Sequence, residues 1–264
     1  MAEISDPVTL EPVAEIVLPN APLVRVIAQV RFPLVVAIEQ RDFIAPFQEA
    51  IRADYPRLRR EQTQALLIGR GGLSPTEQER VWRFSDLSGH WRITLAPEFL
   101  ALETTAYTTR TEFFTKFRRV LEVLEKCIEP KIVDRLGIRY IDRIAGEPMG
   151  RIADLVRPEV RGITGTVAEA HLQHSLTESL FLFDKSRLLA RWGRLPAGAT
   201  VDPSAIEPIN DPSWILDLDM FSTEPLSFAA SDVTAIGEEF ARRIYTFFRW
   251  AVNDEFLKVF GGQP

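Results

Sequence analysis

The stretch LVRVIAQVRF, residues 23–32, sorts into two sets: Val24, Val26, Ala28, Val30 and Phe32 on one side, and Leu23, Arg25, Ile27, Gln29 and Arg31 on the other. Successive side chains of a strand point to opposite faces, so this run predicts a strand with one fully apolar face laid on a core. The same period of two returns in VWRFSD and HWRITL, joined around Leu87-Ser88-Gly89, and in LGIRYIDRI, residues 136–144. Between them the period changes. Thr109-Arg110-Thr111-Glu112 has capping-box spacing, and Phe113, Phe117, Val120, Leu121, Leu124 and Ile128 form the stripe of the helix behind it. Blocks of period two alternating with blocks of helical period demand a sheet covered by helices.

An earlier helix is expected from Asp42 as N-cap, with Phe43, Phe47, Ala50, Ile51 and Tyr55 on one face and Pro56 as its stop. FLALETTAY, after Pro97, extends the hairpin or adds a strand. Strand, helix, hairpin, helix, strand is the order of a ferredoxin-like βαββαβ unit, expected over residues 21–146 behind a proline-punctuated arm at 1–20. Beyond Gly146, Pro148, Pro158 and Gly162, three strands are expected in TVAEAHLQHSL, SLFLFDKSRLLARWG and WILDLDMFS. A proline-rich loop, residues 196–212, separates the last two. A helix from Ser231, with Ile236, Phe240, Ile244, Phe247 and Ala251 on one face, runs to near Gly261-Gly262. Residues 147–264 therefore read as βββα, and the whole chain as α+β with a largely antiparallel sheet. The echo between TEFFTKFRRVLEVL and EEFARRIYTFFRWA raises a pseudo-duplication.

Charge and cysteine content limit the chemistry. Lys+Arg number 31 against 37 Asp+Glu, so the net charge of −6 repels phosphate backbones and anionic membranes. The single cysteine, Cys127, excludes an intramolecular disulfide. The N-terminus lacks the basic-then-apolar order of a signal peptide, and no run approaches the roughly 18 apolar residues of a membrane helix. A soluble cytoplasmic protein, without membrane partners, is expected.

The sequence has no G-x-S-x-G elbow, phosphate-binding glycine loop or H-E-x-x-H helix. GRGGLS, residues 69–74, places Ser74 where a dinucleotide loop needs its last glycine, and reads as a turn. His171 and His174 fall on opposite faces of the expected strand, so they do not share an ion. His90 lies beside the hairpin turn, and Cys127 at the end of an apolar stripe reads as a small hydrophobe. Asp217 and Asp219 share a strand face. They form either an acid/base or metal pair or a cross-strand ladder with Arg187 and Arg191, and the ladder is preferred. No cofactor and no metal are expected.

Six arginines form the candidate ligand-binding set. Arg25, Arg31, Arg83, Arg92, Arg139 and Arg143 all project from the polar sides of expected strands, a composition suited to phosphate, carboxylate or an acidic partner. A sheet that binds RNA usually adds exposed stacking aromatics, whereas Trp82, Trp91 and Tyr140 fall on the apolar sides. A second candidate surface is aromatic. Phe247, Phe248, Trp250, Phe256 and Phe260 exceed what one helix face must bury, which points to a protein partner or to self-association.

In NAPLVRVIAQVRF, VWRFSDLSGHWRITLAPEFLALETTAY, LGIRYIDRI and FFRWAVNDEF, the chain resembles a sporadically distributed prokaryotic family of similar length, and the likeness runs through nearly all of it. It implies a bacterial cytoplasmic protein whose halves belong to one unit, and brings no substrate, cofactor or catalytic residue. In architecture alone the plan is similar to CRISPR repeat-processing endonucleases, although only Gly261-Gly262 stands where they carry a basic glycine-rich segment. The leading expectation is a non-enzymatic binding or regulatory protein. An RNA-binding protein or metal-independent ribonuclease is the alternative.

Overall fold

The computed structural model describes residues 6–8, 13–63, 66–69, 72–75 and 79–263. Most of the expected arm before residue 13, and the Arg70-Gly71 turn, lie outside the described residues. The main strands are β1 (Leu23–Arg31), β2 (Arg57–Thr63), β3 (Glu79–Ser85), β4 (Trp91–Ala96), β5 (Phe99–Thr104), β6 (Arg135–Ala145), β7 (Ser175–Leu182), β8 (Ser186–Leu195) and β9 (Ser213–Ser222). The longer helices are α1 (Arg41–Ile51), α2 (Arg110–Cys127) and α3 (Ala230–Ala251), with a short α4 (Asp254–Val259) behind them. The strands form one large antiparallel sheet, hydrogen-bonded in the order β7-β8-β9-β6-β1-β5-β4-β3-β2. Among the described residues no helix is long and apolar enough to cross a membrane.

Two compact units are discontinuous in sequence. One comprises Met1–Val26, Ile138–Thr223 and Glu238–Pro264, and the other Ile27–Gly137 and Glu224–Gly237. In the second, Trp82 pairs with Leu95 and Phe84 with Ile93, so the apolar sets of β3 and β4 share one buried face while Arg83 and Arg92 lie on the other. The Trp82 indole N–H donates to the Ile38 carbonyl, which satisfies its one polar atom inside the core. Thr109 caps α2 where its spacing predicts, its Oγ1 accepting from the Glu112 amide at 3.1 Å, while the Glu112 carboxylate accepts from the Thr108 hydroxyl rather than closing a reciprocal box.

Local departures have physical causes. Asp42 lies inside the first turn of α1, and Gln40 is the N-cap, without a side-chain bond. Pro46 sits inside that helix. The glycine-rich stretch, read as a turn, is flanked by two short paired strands, Leu66–Gly69 and Gly72–Pro75. FLALETTAY supplies the further strand β5, and an additional strand, β2, follows α1, so four sheet strands separate α1 from α2. Its composition, RLRREQT, has no apolar alternation to betray it.

In the first unit TVAEAHLQHSL is not one strand. Val167–His171 is a 3-10 turn, and β7 starts at Ser175. SLFLFDKSRLLARWG is two strands folded at Asp184-Lys185, with Phe183 N–H donating to the Ser186 carbonyl. The long C-terminal helix breaks after Ala251, where Asn253 Nδ2 donates to the carbonyls of Asp154 and Val156, and resumes as α4. This break folds the aromatic tail onto itself. Phe247 packs on Phe181, Trp192 and Trp250, while Phe256 packs on Phe248 and Phe260.

Candidate functional site

Register builds the site. β8 and β9 pair so that Arg191 faces Asp217, and β7 pairs with β8 so that Glu178 faces Arg191. Leu188, Ala190 and Trp192 occupy the alternate positions and are buried, Trp192 against Phe247 of α3. The charged residues therefore share the opposite face of the sheet. Arg139, from β6, reaches the same carboxylate.

The Asp217 carboxylate is only 1% exposed and is gripped from two sides. Arg139 donates to both of its oxygens, Nε to Oδ1 at 2.7 Å and Nη2 to Oδ2 at 2.8 Å, and Arg191 Nη1 adds a bond to Oδ2 at 3.2 Å. The remaining fork of Arg139 donates from Nη1 to Asp202 Oδ2 at 2.7 Å. Asp202 belongs to the loop at 196–212, and Ser204 donates to it from both its amide and its hydroxyl. At the other end, Arg191 Nε lies 3.0 Å from Glu178 Oε2, a close ion pair without hydrogen-bond alignment. A line of charges thus runs Glu178, Arg191, Asp217, Arg139, Asp202.

Burial works to lower the Arg139 pKa, but its bonds to Asp217 and Asp202 win and raise it. Burial also works to raise Asp202, and the Ser204 and Arg139 donors hold it below the usual carboxylate range. The loop is held at further points. Ala205 and Ile206 are buried, and the Glu207 carbonyl accepts from Arg143 Nη1 at 2.8 Å. The proline-rich segment therefore anchors on the sheet through two arginines of LGIRYIDRI.

Most of the six arginines have carboxylate partners. Arg92 pairs with Glu103 directly across the β4–β5 ladder, Arg83 with Glu61 of β2, and Arg31 with Glu98 at 3.1 Å. Arg139 belongs to the network above. Arg143 differs: burial lowers its pKa, and its Nε and Nη2 have no partner among the described residues. Arg25 stands half-buried on β1. Asp142, on the other side of β6 from Arg139 and Arg143, is buried, and burial alone pushes its pKa up to about 7. The sequence suggests a strand-end side chain reaching water at that position, and the structure instead encloses it.

The remaining candidates are dispersed. His171 and His174 are both exposed, and no group of three metal-ligating side chains occurs among the described residues. His90 Nδ1 is 2.9 Å from Thr105 Oγ1 on the surface. Burial raises the Cys127 pKa, which opposes thiolate formation. Asp217 is no surface rung as the ladder reading expects, and Arg187 donates to the Phe183 and Ser186 carbonyls. In the C-terminal aromatic set, Phe247, Phe256 and Phe260 are buried, while Phe248 and Trp250 are half-buried.

Sequence reasoning misses one surface. Leu176, Leu180 and Leu182 of β7 are 44%, 53% and 69% exposed, on the same face as Glu178. Their alternation is visible in SLTESLFL, but it had to be separated from Phe181, which points to α3 and packs on Phe247. Searched against protein-family models the chain matches none, and no curated protein matches it at a significant level.

Proposed function

We propose that the protein is a non-enzymatic binding or regulatory protein of a bacterial cytoplasm, and that its contact surface is the β7 rim of the first unit. The observation that carries this reading is the row of exposed leucines, Leu176, Leu180 and Leu182, on a strand at the end of the sheet order. Removing a half-exposed leucine from water contributes about 1 kcal/mol, so the row favours a protein contact. Groups that would otherwise do acid/base or anion chemistry are already engaged. Asp217 accepts from two guanidiniums, and Arg83, Arg92 and Arg139 each hold a carboxylate. On the same footing we read the fold as a doubled relative of the ferredoxin-like plan, because the order β1, α1, strands, α2 returns as β6, the one-turn helices Ile152–Leu155 and Pro158–Arg161, strands β7 to β9, and α3.

Tagged wild-type protein and the Leu180→Lys/Leu182→Lys variant, isolated from the native host, test this function. A companion protein that accompanies the wild type and is lost with the variant, at unchanged circular dichroism and melting temperature, is the expected result. A companion retained by the variant removes β7 as the surface. Salt-sensitive RNA binding that falls when Arg83, Arg92 and Arg139 are replaced overturns the reading in favour of RNA recognition.

A further inference from the structure

The ladder between β7 and β8 keeps one register throughout, from Ser175 opposite Arg194 to Leu182 opposite Arg187. Just beyond it, Phe183 N–H donates to the Ser186 carbonyl, which fixes the phase of the ladder. In an antiparallel pair, residues two apart repeat the same bonding, so Phe181, Ser179, Thr177 and Ser175 turn their amides and carbonyls toward β8. Leu176, Glu178, Leu180 and Leu182 therefore turn theirs to the outer edge. Among the described residues no strand follows β7 in the sheet. These four residues are all exposed, as is Thr177 on the other face, so one row of the strand presents both an open backbone ladder and an apolar surface.

The far end of the sheet order is built differently. β2 carries Arg57, Arg59, Arg60 and Glu61, a density of charge that discourages pairing at an edge. β7 has one charged residue, no proline and no bulge in its ladder. That one charge is informative. The network from Glu178 to Asp202 contains two guanidiniums and three carboxylates, so it carries one negative charge in excess. Asp217 is sealed and Asp202 is held by Arg139 and Ser204, whereas the Glu178 side chain is 61% exposed. The excess is presented at the edge strand.

We propose, building on the contact surface above, that β7 accepts an antiparallel strand from a different protein, with Lys or Arg opposite Glu178 and apolar residues opposite Leu176, Leu180 and Leu182. A second copy of this chain is the wrong occupant. Two-fold pairing of β7 with itself sets Glu178 against Leu176, Glu178, Leu180 or Leu182 as the axis falls at residue 177, 178, 179 or 180. Each register opposes the acid with an acid or a leucine, and none supplies a cation. A basic segment is also drawn to a chain of net charge −6.

The probe is a capped peptide, Val-Thr-Leu-Thr-Lys-Thr-Val, compared with its Lys-to-Glu counterpart and with a version N-methylated at the Leu and Lys amides. Fluorescence anisotropy at low salt is expected to give roughly fivefold tighter binding for the Lys peptide than for the Glu peptide, with the preference abolished in Glu178→Gln. The N-methylated peptide does not bind. Leu180→Pro removes only an edge-facing donor, so it abolishes peptide binding while melting like Leu180→Ala. Equal affinity of the Lys and Glu peptides, absence of Lys-peptide binding at millimolar concentration, or a dimer dissolved by Leu180→Pro overturns the proposal. Undiminished binding of the N-methylated peptide that Leu180→Lys still abolishes defeats strand addition alone and leaves the contact surface standing. Binding indifferent to both defeats the two together.

Discussion

Arg139 and Asp217 meet as a two-pronged ion pair at 2.7 and 2.8 Å, from β6 and β9, with the carboxylate sealed from water. Arg143, two positions further along the same face of β6, has a single carbonyl for its guanidinium. Two arginines of one short motif thus have opposite energetic roles.

Arg139→Met leaves Asp217 with Arg191 alone, and is expected to destabilise the protein by about 3–5 kcal/mol in urea unfolding. A further Asp217→Asn in that background removes the stranded charge and recovers part of the loss. Arg143→Met removes a desolvated cation that is poorly bonded, and is expected to leave stability unchanged or raise it.

Asp142 gives the protein a pH dependence of definite sign. Its folded pKa, about 7, stands above the ordinary carboxylate value, so the folded state holds the proton more tightly than the unfolded chain. Its carboxyl therefore costs no stability at pH values below the unfolded pKa, and progressively destabilises the fold as pH rises from about 4 to about 7. Asp142→Asn is expected to raise stability at pH 8 by a few kcal/mol and to leave it unchanged near pH 3. Paired denaturation curves at the two pH values read this directly.

Gly193 has φ of +142°, and a Cβ there would lie 1.9 Å from the Ser175 carbonyl oxygen. Because that oxygen belongs to the backbone of the neighbouring strand, it cannot swing away. Gly193→Ala is expected to cost roughly 3 kcal/mol in thermal or chemical unfolding, and to loosen the start of β7 in hydrogen exchange.

Thr109→Ala deletes the hydrogen bond that closes the first turn of α2. Its expected cost is about 1 kcal/mol, and Thr109→Ser retains most of the stability.

Much of this was legible in the sequence wherever a pattern was long and one-sided. The strand at 23–31 and the shared face of Trp82, Phe84, Ile93 and Leu95 follow from periodicity, and the Thr109 cap of α2 from residue type and spacing. β2 was not legible, because RLRREQT has no apolar alternation and its place is set by pairing with β3. The turn at Asp184-Lys185 was hidden inside a run whose charges also fit an alternating strand. In the site, the Arg191 to Asp217 pairing was foreseeable from strand adjacency. The further bond from Arg139 to Asp202 was not, since Asp202 belongs to a loop that the sequence marks only by prolines. The burial of Phe256 and Phe260 was hidden for a related reason: the helix is interrupted at Asn253, and the short helix that follows packs Phe256 on Phe248 and Phe260.

The charged line across β7, β8, β9 and β6 also acts as a folding key. Sliding β9 by one residue against β8 would turn Asp217 into the apolar layer with Trp192, and sliding it by two would set Asp217 opposite Leu189 or Gly193. Only one alignment gives the carboxylate both of its guanidiniums. Other alignments of β8 and β9 are thereby disfavoured in free energy, because each leaves a buried carboxylate without its partners.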